Sequence, residues 1–143
     1  SRVFWMRRAV RSMNGRWRRN PMADRLKAEK RGHRGEMLAA LLLRLKGYRI
    51  LGRRIKTHVG EIDLVARSPF GLVCFIEVKA RANLMLAAQS VAPRQQTRLA
   101  RAASLYLAGR HGLAGGGVRF DIVAVAPRKW PRHYRDAWRP QQD

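Results

Sequence analysis

The stretch GEIDLVARSPFGLVCFIEVKAR, residues 60–81, reads as two apolar strands joined by the short connection RSPFG, whose proline and glycine favour a tight turn. Three ionisable side chains, Asp63, Glu77 and Lys79, interrupt the apolar pattern. A charge in a sheet that packs on both faces is costly unless another group compensates it. The nature of the compensating group is therefore the functional question that this hairpin raises.

The position of the turn determines which residues of the two strands face each other. A turn centred near Pro69 and Phe70 places Asp63 opposite Ile76 or Glu77, and paired residues have Cβ atoms about 5 Å apart. Lys79 shares a face with Glu77 because the two are two residues apart on one strand. We therefore expect Asp63, Glu77 and Lys79 to converge on one patch. The opposite face is expected to carry Ile62, Leu64, Ile76 and Val78.

Two carboxylates and an amine within a few ångströms form an oxygen-lined pocket suited to a hard divalent cation. Lys79 would then lie beside the place where a water molecule sits. Read in isolation, such a triplet is more often a satisfied ion pair on a solvated sheet face. However, the strand leading to Glu77 is apolar on both faces, so solvent is not the obvious compensator and a metal ion or a phosphate becomes plausible.

The composition indicates one basic domain. A chain of 143 residues with 46% hydrophobic residues can bury one sizeable core. Its 31 Lys and Arg residues against 9 Asp and Glu residues give a net charge of +22, which favours a polyanionic partner: nucleic acid first, an acidic membrane surface second. Most of the basic residues are Arg, whose planar fork suits phosphate oxygens, and this favours nucleic acid.

Cysteine usage and hydropathy bear on the compartment. Cys74, in the apolar run LVCFI, is the single cysteine and is expected to be an inert core residue. The absence of a disulfide fits a reducing cytoplasm. The longest apolar run, residues 37–43, is far shorter than the roughly 20 residues that a membrane span requires, so no membrane insertion is expected.

The N-terminal segment differs from the rest in composition. Residues 1–31 carry eleven Arg or Lys residues against Asp24 and Glu29, which predicts a flexible basic extension, disordered or weakly helical until it meets an anionic partner. Met22 opens a stretch that would make a natural protein start, so the residues before it are expected to be a variable leader. Residues 32–143 are expected to form the domain and to end in a basic, irregular tail.

Helix and strand patterns predict an α/β fold with a mixed central sheet and flanking helices. A first helix carries an apolar stripe that is expected to face the sheet: Leu38, Leu41, Leu42 and Leu45. A second helix is expected from Pro93 to about Gly109, with Leu99, Ala102, Ala103 and Tyr106 on one side. Strands are expected at residues 48–53, within EIDLVA and LVCFIEVKA, and in VRFDIVAVA.

The ordered set GEIDL, FIEVKAR, VRFDIVAV and WPRHYRDAW resembles the YraN-like family, which belongs to the restriction-endonuclease-like PD-(D/E)xK nuclease superfamily. The resemblance covers about residues 32–138. It implies a restriction-endonuclease-like fold. It also implies that Asp63 and Glu77 bind Mg²⁺ or Mn²⁺ and that Lys79 places or activates the attacking water.

Archaeal junction resolvases of that superfamily add a Glu from the first helix, which corresponds to Glu36. An acid in the first turn of a helix is also favourable to the helix dipole without any further role. Asp121 resembles the family pattern but lacks a Lys partner, so we interpret it as structural. Further residues are expected to contact nucleic acid, with a solvated surface as the alternative for each: Arg53, Arg54, Lys56, Arg81 and Gln95.

The sequence thus favours a metal-dependent endonuclease that hydrolyses phosphodiester bonds in DNA, with branched, junction or single-stranded DNA as candidate substrates. The alternative is a nucleic-acid-binding protein with the same fold and negligible turnover, which serves a repair or recombination assembly. A membrane-surface role for the basic leader ranks third. The expected compartment is the cytoplasm, and a homodimer is the oligomeric state considered.

Overall fold

The computed structural model describes residues 20–140, apart from the side chain of Arg31. Most of the predicted N-terminal extension, residues 1–19, therefore lies outside the described residues. The chain divides into two units, and the boundary between them falls between Lys30 and Arg31. In chain order the elements are α1 (Pro21–Leu45), β1 (Arg49–Thr57), β2 (Gly60–Arg67), β3 (Val73–Ala80), α2 (Leu84–Ala88), α3 (Pro93–Ala108), a 3-10 turn (Leu113–Gly116), β4 (Val118–Val125) and β5 (Arg132–Tyr134).

The five strands form one mixed sheet in the order β1-β2-β3-β4-β5. The pair β3 and β4 is parallel, while the β1–β2, β2–β3 and β4–β5 pairs are antiparallel. The parallel pair is joined by a crossover that contains α2 and α3, as parallel pairing requires. The expected α/β fold with a mixed sheet and flanking helices is confirmed.

The sheet buries both of its faces. On one face the buried side chains of α3 pack on the sheet, and this group includes Leu99, Ala102, Ala103, Tyr106, Val65 and Phe75. On the other face the end of α1 packs on the sheet, and this group includes Ala39, Ala40, Leu43, Leu64, Cys74 and Ile76. The predicted span and buried side of α3 are confirmed.

The packing face of α1 differs from the expected one. Leu38, Leu41 and Leu45 are exposed by 40%, 48% and 68%, whereas Ala39, Ala40 and Leu43 are fully buried. Small side chains allow the helix to approach the sheet closely: a Cβ added to Gly35 would lie 3.5 Å from a methyl carbon of Val78. Leu42 of the predicted leucine stripe is half-buried and packs against this group. The prediction was wrong for Leu38, Leu41 and Leu45 because residue size, rather than hydrophobicity alone, decided the packing.

The helix also begins earlier than the apolar pattern indicated. The side chain of Asn20 accepts hydrogen bonds from the backbone N–H groups of Met22 at 3.1 Å and Ala23 at 3.4 Å. Asn is a favoured N-cap residue, and Pro21 suits the first helical position. These two residues explain a helix start at Pro21.

Pairing between β2 and β3 places Asp63 at the point where the two strands part. The register runs from Arg67 opposite Val73 to Leu64 opposite Ile76, so the next pair in register would join Asp63 and Glu77. Ile62 packs with the α3 face and not, as expected, with Leu64. Alternation relative to β3 holds only while the strands remain paired, and Ile62 lies beyond that point.

Two features of the remaining chain complete the fold. The C-terminal tail contains β5, which the sequence patterns did not predict, and its residues Arg132–Tyr134 pair with β4. Within residues 20–140, no helix has the length and apolar character needed to cross a membrane.

Candidate functional site

The carboxylate of Asp63 occupies the gap where β2 and β3 separate. Its Oδ2 accepts a hydrogen bond from the backbone N–H of Val78 at 2.8 Å. This bond takes the place of a ladder bond beyond the last strand pair, Leu64 and Ile76. The strand geometry therefore fixes the Asp63 carboxylate beside the end of β3, where its side chain is half-buried.

Glu77 lies on β3 and is only 7% exposed. Its Oε1 accepts a hydrogen bond from Nε2 of Gln95 at 2.8 Å, and the Nζ of Lys79 lies 3.1 Å from the same oxygen. One partner comes from α3 and the other from the same face of β3. The structure thus confirms that Glu77 and Lys79 meet, and it adds Gln95 to the group.

The electrostatics of Asp63 reflect the closeness of Glu77. Burial and the neighbouring charge of Glu77 raise the pKa of Asp63 from 3.8 to about 7. The N–H of Val78 opposes this rise without cancelling it. Close to neutral pH the Asp63 carboxyl is therefore protonated only part of the time. A divalent cation could replace that proton and would neutralise both acids.

Glu36 is held apart from this pair by an ion pair of its own. The Nε of Arg54 donates to Oε2 of Glu36 at 2.6 Å. The charge of Glu36 still contributes to the raised pKa of Asp63, so it acts on the pair through space. Among residues 20–140, no three His, Cys, Asp or Glu side chains form a metal-binding group. A metal site here rests on Asp63 and Glu77.

Two carboxylates are a sufficient protein contribution for some cations. Mg²⁺ is usually bound by one or two carboxylates, and it completes its octahedral shell with water and substrate phosphate oxygens. Mn²⁺ has a similar preference for carboxylate and water oxygens. The all-oxygen donor pair Asp63 and Glu77 fits either of these ions.

The residues expected to contact nucleic acid divide into exposed and engaged groups. Arg53 and Lys56 are exposed on β1. Arg54 is engaged with Glu36, and the guanidinium of Arg81 donates to the carbonyl oxygen of Ala80 at 2.8 Å. Gln95 is engaged with Glu77. Sequence reasoning placed Gln95 near phosphate, but the contact that it makes in the structure is with the acid itself.

A cavity elsewhere in the domain does not include the acid pair. It has a volume of about 530 Å³ and lies at the C-terminal end of α3, lined by Leu51, Arg67, Tyr106, Arg110, His111, Gly112 and Leu113. Arg110 is engaged there, because its guanidinium lies 3.8 Å from the Tyr106 ring centroid and donates to the Tyr106 carbonyl oxygen. The acid pair lies outside this cavity, at the parting of β2 and β3.

A second acid, Asp121 on β4, is fully buried. Nε and Nη2 of Arg119 each donate to its carboxylate at 2.8 Å. Nε2 of His133 lies 2.7 Å from Oδ2, and the backbone N–H of Asp136 donates to Oδ1 at 3.0 Å. Burial acts to raise the pKa of Asp121, but the hydrogen bonds from His133 and Arg119 outweigh it and hold that pKa below its ordinary value.

Further side chains join this group, which we call the Asp121 network: Lys46, Tyr48, Arg119, Asp121 and His133. The Tyr48 hydroxyl accepts a hydrogen bond from Arg119 at 2.6 Å, and the Nζ of Lys46 lies 2.7 Å from Nδ1 of His133. The network connects the chain after α1 to β4 and β5. It supports the structural interpretation of Asp121. Sequence reasoning missed the network, although the two-residue spacing of Arg119 and Asp121 was a readable signal for a same-face pair.

Comparison with known proteins gives consistent relatives. The model of a family described as Uncharacterised protein family UPF0102 matches residues 35–125. A UPF0102 protein of Parvibaculum lavamentivorans is 54% identical over 122 residues, covering 85% of this chain and 90% of the relative. UPF0102 proteins of Mesorhizobium japonicum and Paramagnetospirillum magneticum are 49% and 53% identical, covering 82% and 78% of this chain and 94% and 89% of each relative. The matched segment contains Asp63, Glu77 and Lys79.

Proposed function

The chain belongs to the uncharacterised protein family UPF0102, and we propose that it is a metal-dependent endonuclease that hydrolyses phosphodiester bonds in DNA. The observation that carries the proposal is the convergence of three side chains: Asp63 accepts from the backbone of Val78, the residue after Glu77, and Lys79 contacts Glu77. The proposal includes membership of the restriction-endonuclease-like PD-(D/E)xK superfamily. The mixed sheet with helices on both faces supports that membership.

Each residue of the group has a role in this proposal. Asp63 and Glu77 would hold Mg²⁺ or Mn²⁺. The bound ion would neutralise charge on the phosphoryl oxygens and lower the pKa of a water molecule. The Lys79 ammonium would donate a hydrogen bond to the attacking water and so orient it. The N–H of Val78 and the amide of Gln95 fix the two carboxylates before substrate arrives, and such preorganisation is a main source of catalytic power.

A large anionic substrate fits the rest of the molecule. The acid pair is open to the surface of the domain through Asp63, which is half-buried, while Glu77 is buried beside it. A net charge of +22 attracts a polyanion and compensates its phosphates. DNA, including branched or single-stranded forms, is the substrate that we propose, with the cytoplasm as the compartment.

One observation favours the alternative of a DNA-binding protein with negligible turnover. Glu36, the further acid that the nuclease resemblance brings to the site, is engaged with Arg54 at 2.6 Å. In that case the acid pair would bind a metal ion and the phosphate backbone without cleaving it. The protein would then serve a repair or recombination assembly.

The test is metal-dependent cleavage of branched, flapped and single-stranded DNA under single-turnover conditions. Asp63→Asn keeps an acceptor for the Val78 N–H but removes a metal ligand, so we expect it to abolish cleavage. Glu61→Gln is the matched control, because Glu61 is an exposed acid on the same strand. DNA binding is measured in Ca²⁺ to keep the substrate uncut. If the wild-type protein binds these substrates but cleaves none of them, the endonuclease proposal fails and the binding protein takes its place.

A further inference from the structure

Helix α3 carries a line of three exposed arginines that neither the site nor the sequence analysis includes. Arg94, Arg98 and Arg101 are spaced by four and three residues, so they lie on one side of the helix. The seven-residue separation corresponds to about 10 Å along the helix axis. The helix contains no Asp or Glu, so no acid of its own opposes this line of charge. We call these three side chains the α3 ridge.

The α3 ridge differs from the arginines that serve the fold. Several arginines donate to protein oxygens: Arg54, Arg81, Arg110, Arg119 and Arg139. Among residues 20–140, no protein acceptor lies within hydrogen-bonding distance of the guanidinium of Arg94, Arg98 or Arg101. Their fork-shaped donors therefore remain available for a ligand, and phosphate oxygens match their geometry.

The α3 ridge begins next to the acid pair. Arg94 precedes Gln95, whose amide reaches Glu77 at 2.8 Å, and consecutive Cα atoms are about 3.8 Å apart. Farther along the helix, Arg98 lies beside the turn between β1 and β2, because a Cβ added to Gly60 would be 3.8 Å from its Cβ. The ridge thus runs from the acid pair past this turn.

We propose that the sugar–phosphate backbone of the nucleic acid lies along α3, with Arg94, Arg98 and Arg101 as successive phosphate contacts. The inference rests on the proposed function, since the acid pair is taken as the reacting end of this track. Three successive phosphates span two nucleotide steps, about 7 Å of axial rise at 3.4 Å per step, and long arginine side chains spread over about 10 Å of helix can reach them. Contacts of this kind position the substrate without reading its sequence.

The first test measures how binding depends on salt. The double variant Arg98→Gln/Arg101→Gln removes two contacts and leaves Arg94, next to Gln95, unchanged. Because each duplex phosphate contact contributes about 0.9 to the slope of log K against log salt, we expect the slope to fall by about 1.8. The control Arg44→Gln/Arg49→Gln removes the same charge from exposed positions on α1 and β1 and should leave the slope unchanged. The proposal would be overturned by an unchanged slope in the ridge variant, or by an equal decrease of the slope in the ridge variant and the control.

The second test measures proximity. Cys74 is fully buried and burial raises its pKa to about 11, so a cysteine introduced at the surface can be labelled selectively. A photo-crosslinker attached to Thr97→Cys, an exposed position beside Arg98, should form adducts with DNA in Ca²⁺. The same label at Leu41→Cys on α1, which packs on the other face of the sheet, should form few. The proposal that the backbone lies along α3 would be overturned by equal yields of DNA adducts from the two labelled positions. It would also be overturned if labelled Thr97→Cys bound DNA but formed no adduct.

Both tests are read without cleavage, so they separate the two proposals. A protein that binds DNA along α3 but never cuts it would retain the track and refute the endonuclease. A protein that cuts DNA while both ridge tests fail would retain the endonuclease and refute the track.

Discussion

Asp63 and Asp121 are acids of the same sheet, yet their surroundings compensate them differently. Asp121 is fully buried and has four hydrogen bonds, from Arg119, His133 and the backbone of Asp136. Asp63 has one backbone hydrogen bond, from Val78, and shares its space with a second acid, Glu77. Groups of the protein itself compensate the charge of Asp121. Asp63 and Glu77, in contrast, have a single nearby ammonium, that of Lys79.

The pKa directions express this difference. The hydrogen bonds to Asp121 outweigh its burial and lower its pKa, whereas burial and Glu77 raise the pKa of Asp63 to about 7. Burial alone therefore does not tell a structural acid from a functional one, because both acids experience it. The group that compensates the acid does tell the two apart. A metal ion can replace the proton on Asp63, but it cannot replace the Arg119 guanidinium that is bound to Asp121.

The largest effect that we expect is the loss of stability in Asp121→Ala. The substitution leaves the mostly buried Arg119 without its carboxylate. Breaking a buried ion pair by removing one partner costs about 3–5 kcal/mol of unfolding free energy. Urea unfolding measures this change. Asp136→Asn is the control, because the Asp136 side chain pairs with Arg139 at the surface and Asn tolerates the φ of 51° at this position, so that variant should lose far less stability than Asp121→Ala. Equal losses in the two variants would remove the structural role of Asp121.

Lys79→Ala should show a different profile, in which the loss of chemistry exceeds the loss of stability, because Gln95 still donates a hydrogen bond to Glu77. Loss of one positioned catalytic group lowers the cleavage rate by about 10²-fold or more, which corresponds to about 2.7 kcal/mol. DNA affinity in Ca²⁺ should stay close to the wild-type value, because both carboxylates remain. Single-turnover cleavage measures the effect, with Lys129→Ala as an exposed control. Cleavage at the wild-type rate by Lys79→Ala would place the chemistry elsewhere.

The sequence predicted those parts of the fold and site that depend on local pattern. A turn position and a two-residue period were enough to bring Asp63 to Glu77 and Glu77 to Lys79, because antiparallel register follows from the turn. The buried side of α3 followed from its helical spacing.

The parts that the sequence did not predict depend on packing between distant segments. The leucine stripe of α1 gave the wrong face because Ala39 and Ala40 fit closer to the sheet than leucine does. His133 meets Asp121 only because β5 pairs with β4, and no local pattern indicates that pairing. The Glu36–Arg54 ion pair likewise joins α1 to β1 across the fold.

The pH dependence of stability should distinguish Asp63 from its amide. The folded-state pKa of about 7 lies above the ordinary 3.8, so this contribution to stability is fully present below about pH 3.8 and is lost as pH rises through 7. Asp63→Asn keeps a neutral side chain and should therefore melt several degrees above the wild type at pH 8 in EDTA. Thermal melts at pH 6 and pH 8 measure the difference, which should be smaller at pH 6.

In Mg²⁺ or Mn²⁺ the wild type should melt above Asp63→Asn, the reverse of the order expected in EDTA. A ligand that binds only the native state raises the melting temperature, and Asp63→Asn should not respond because it lacks one of the two ligands. Glu61→Gln should respond as the wild type does. Identical melting curves with and without millimolar metal, in the wild type and in Asp63→Asn alike, would exclude a metal site at this pair.

The smallest effect that we expect is also the sharpest test of Gln95, which the sequence placed near phosphate and the structure places on Glu77. Gln95→Ala removes the 2.8 Å hydrogen bond to Glu77, and a hydrogen bond to a charged group contributes about 1.5–3 kcal/mol. Because Lys79 still contacts the same oxygen, we expect only about a 10-fold loss of cleavage rate and a weaker response of melting temperature to Mg²⁺.

Gln96→Ala is the matched control, since Gln96 donates to the Val91 carbonyl oxygen from the same turn of α3. If Gln95 positions Glu77, the salt slope of DNA binding stays at the wild-type value while cleavage falls. If the affinity for DNA falls instead while the response to Mg²⁺ is unchanged, Gln95 contacts the substrate directly.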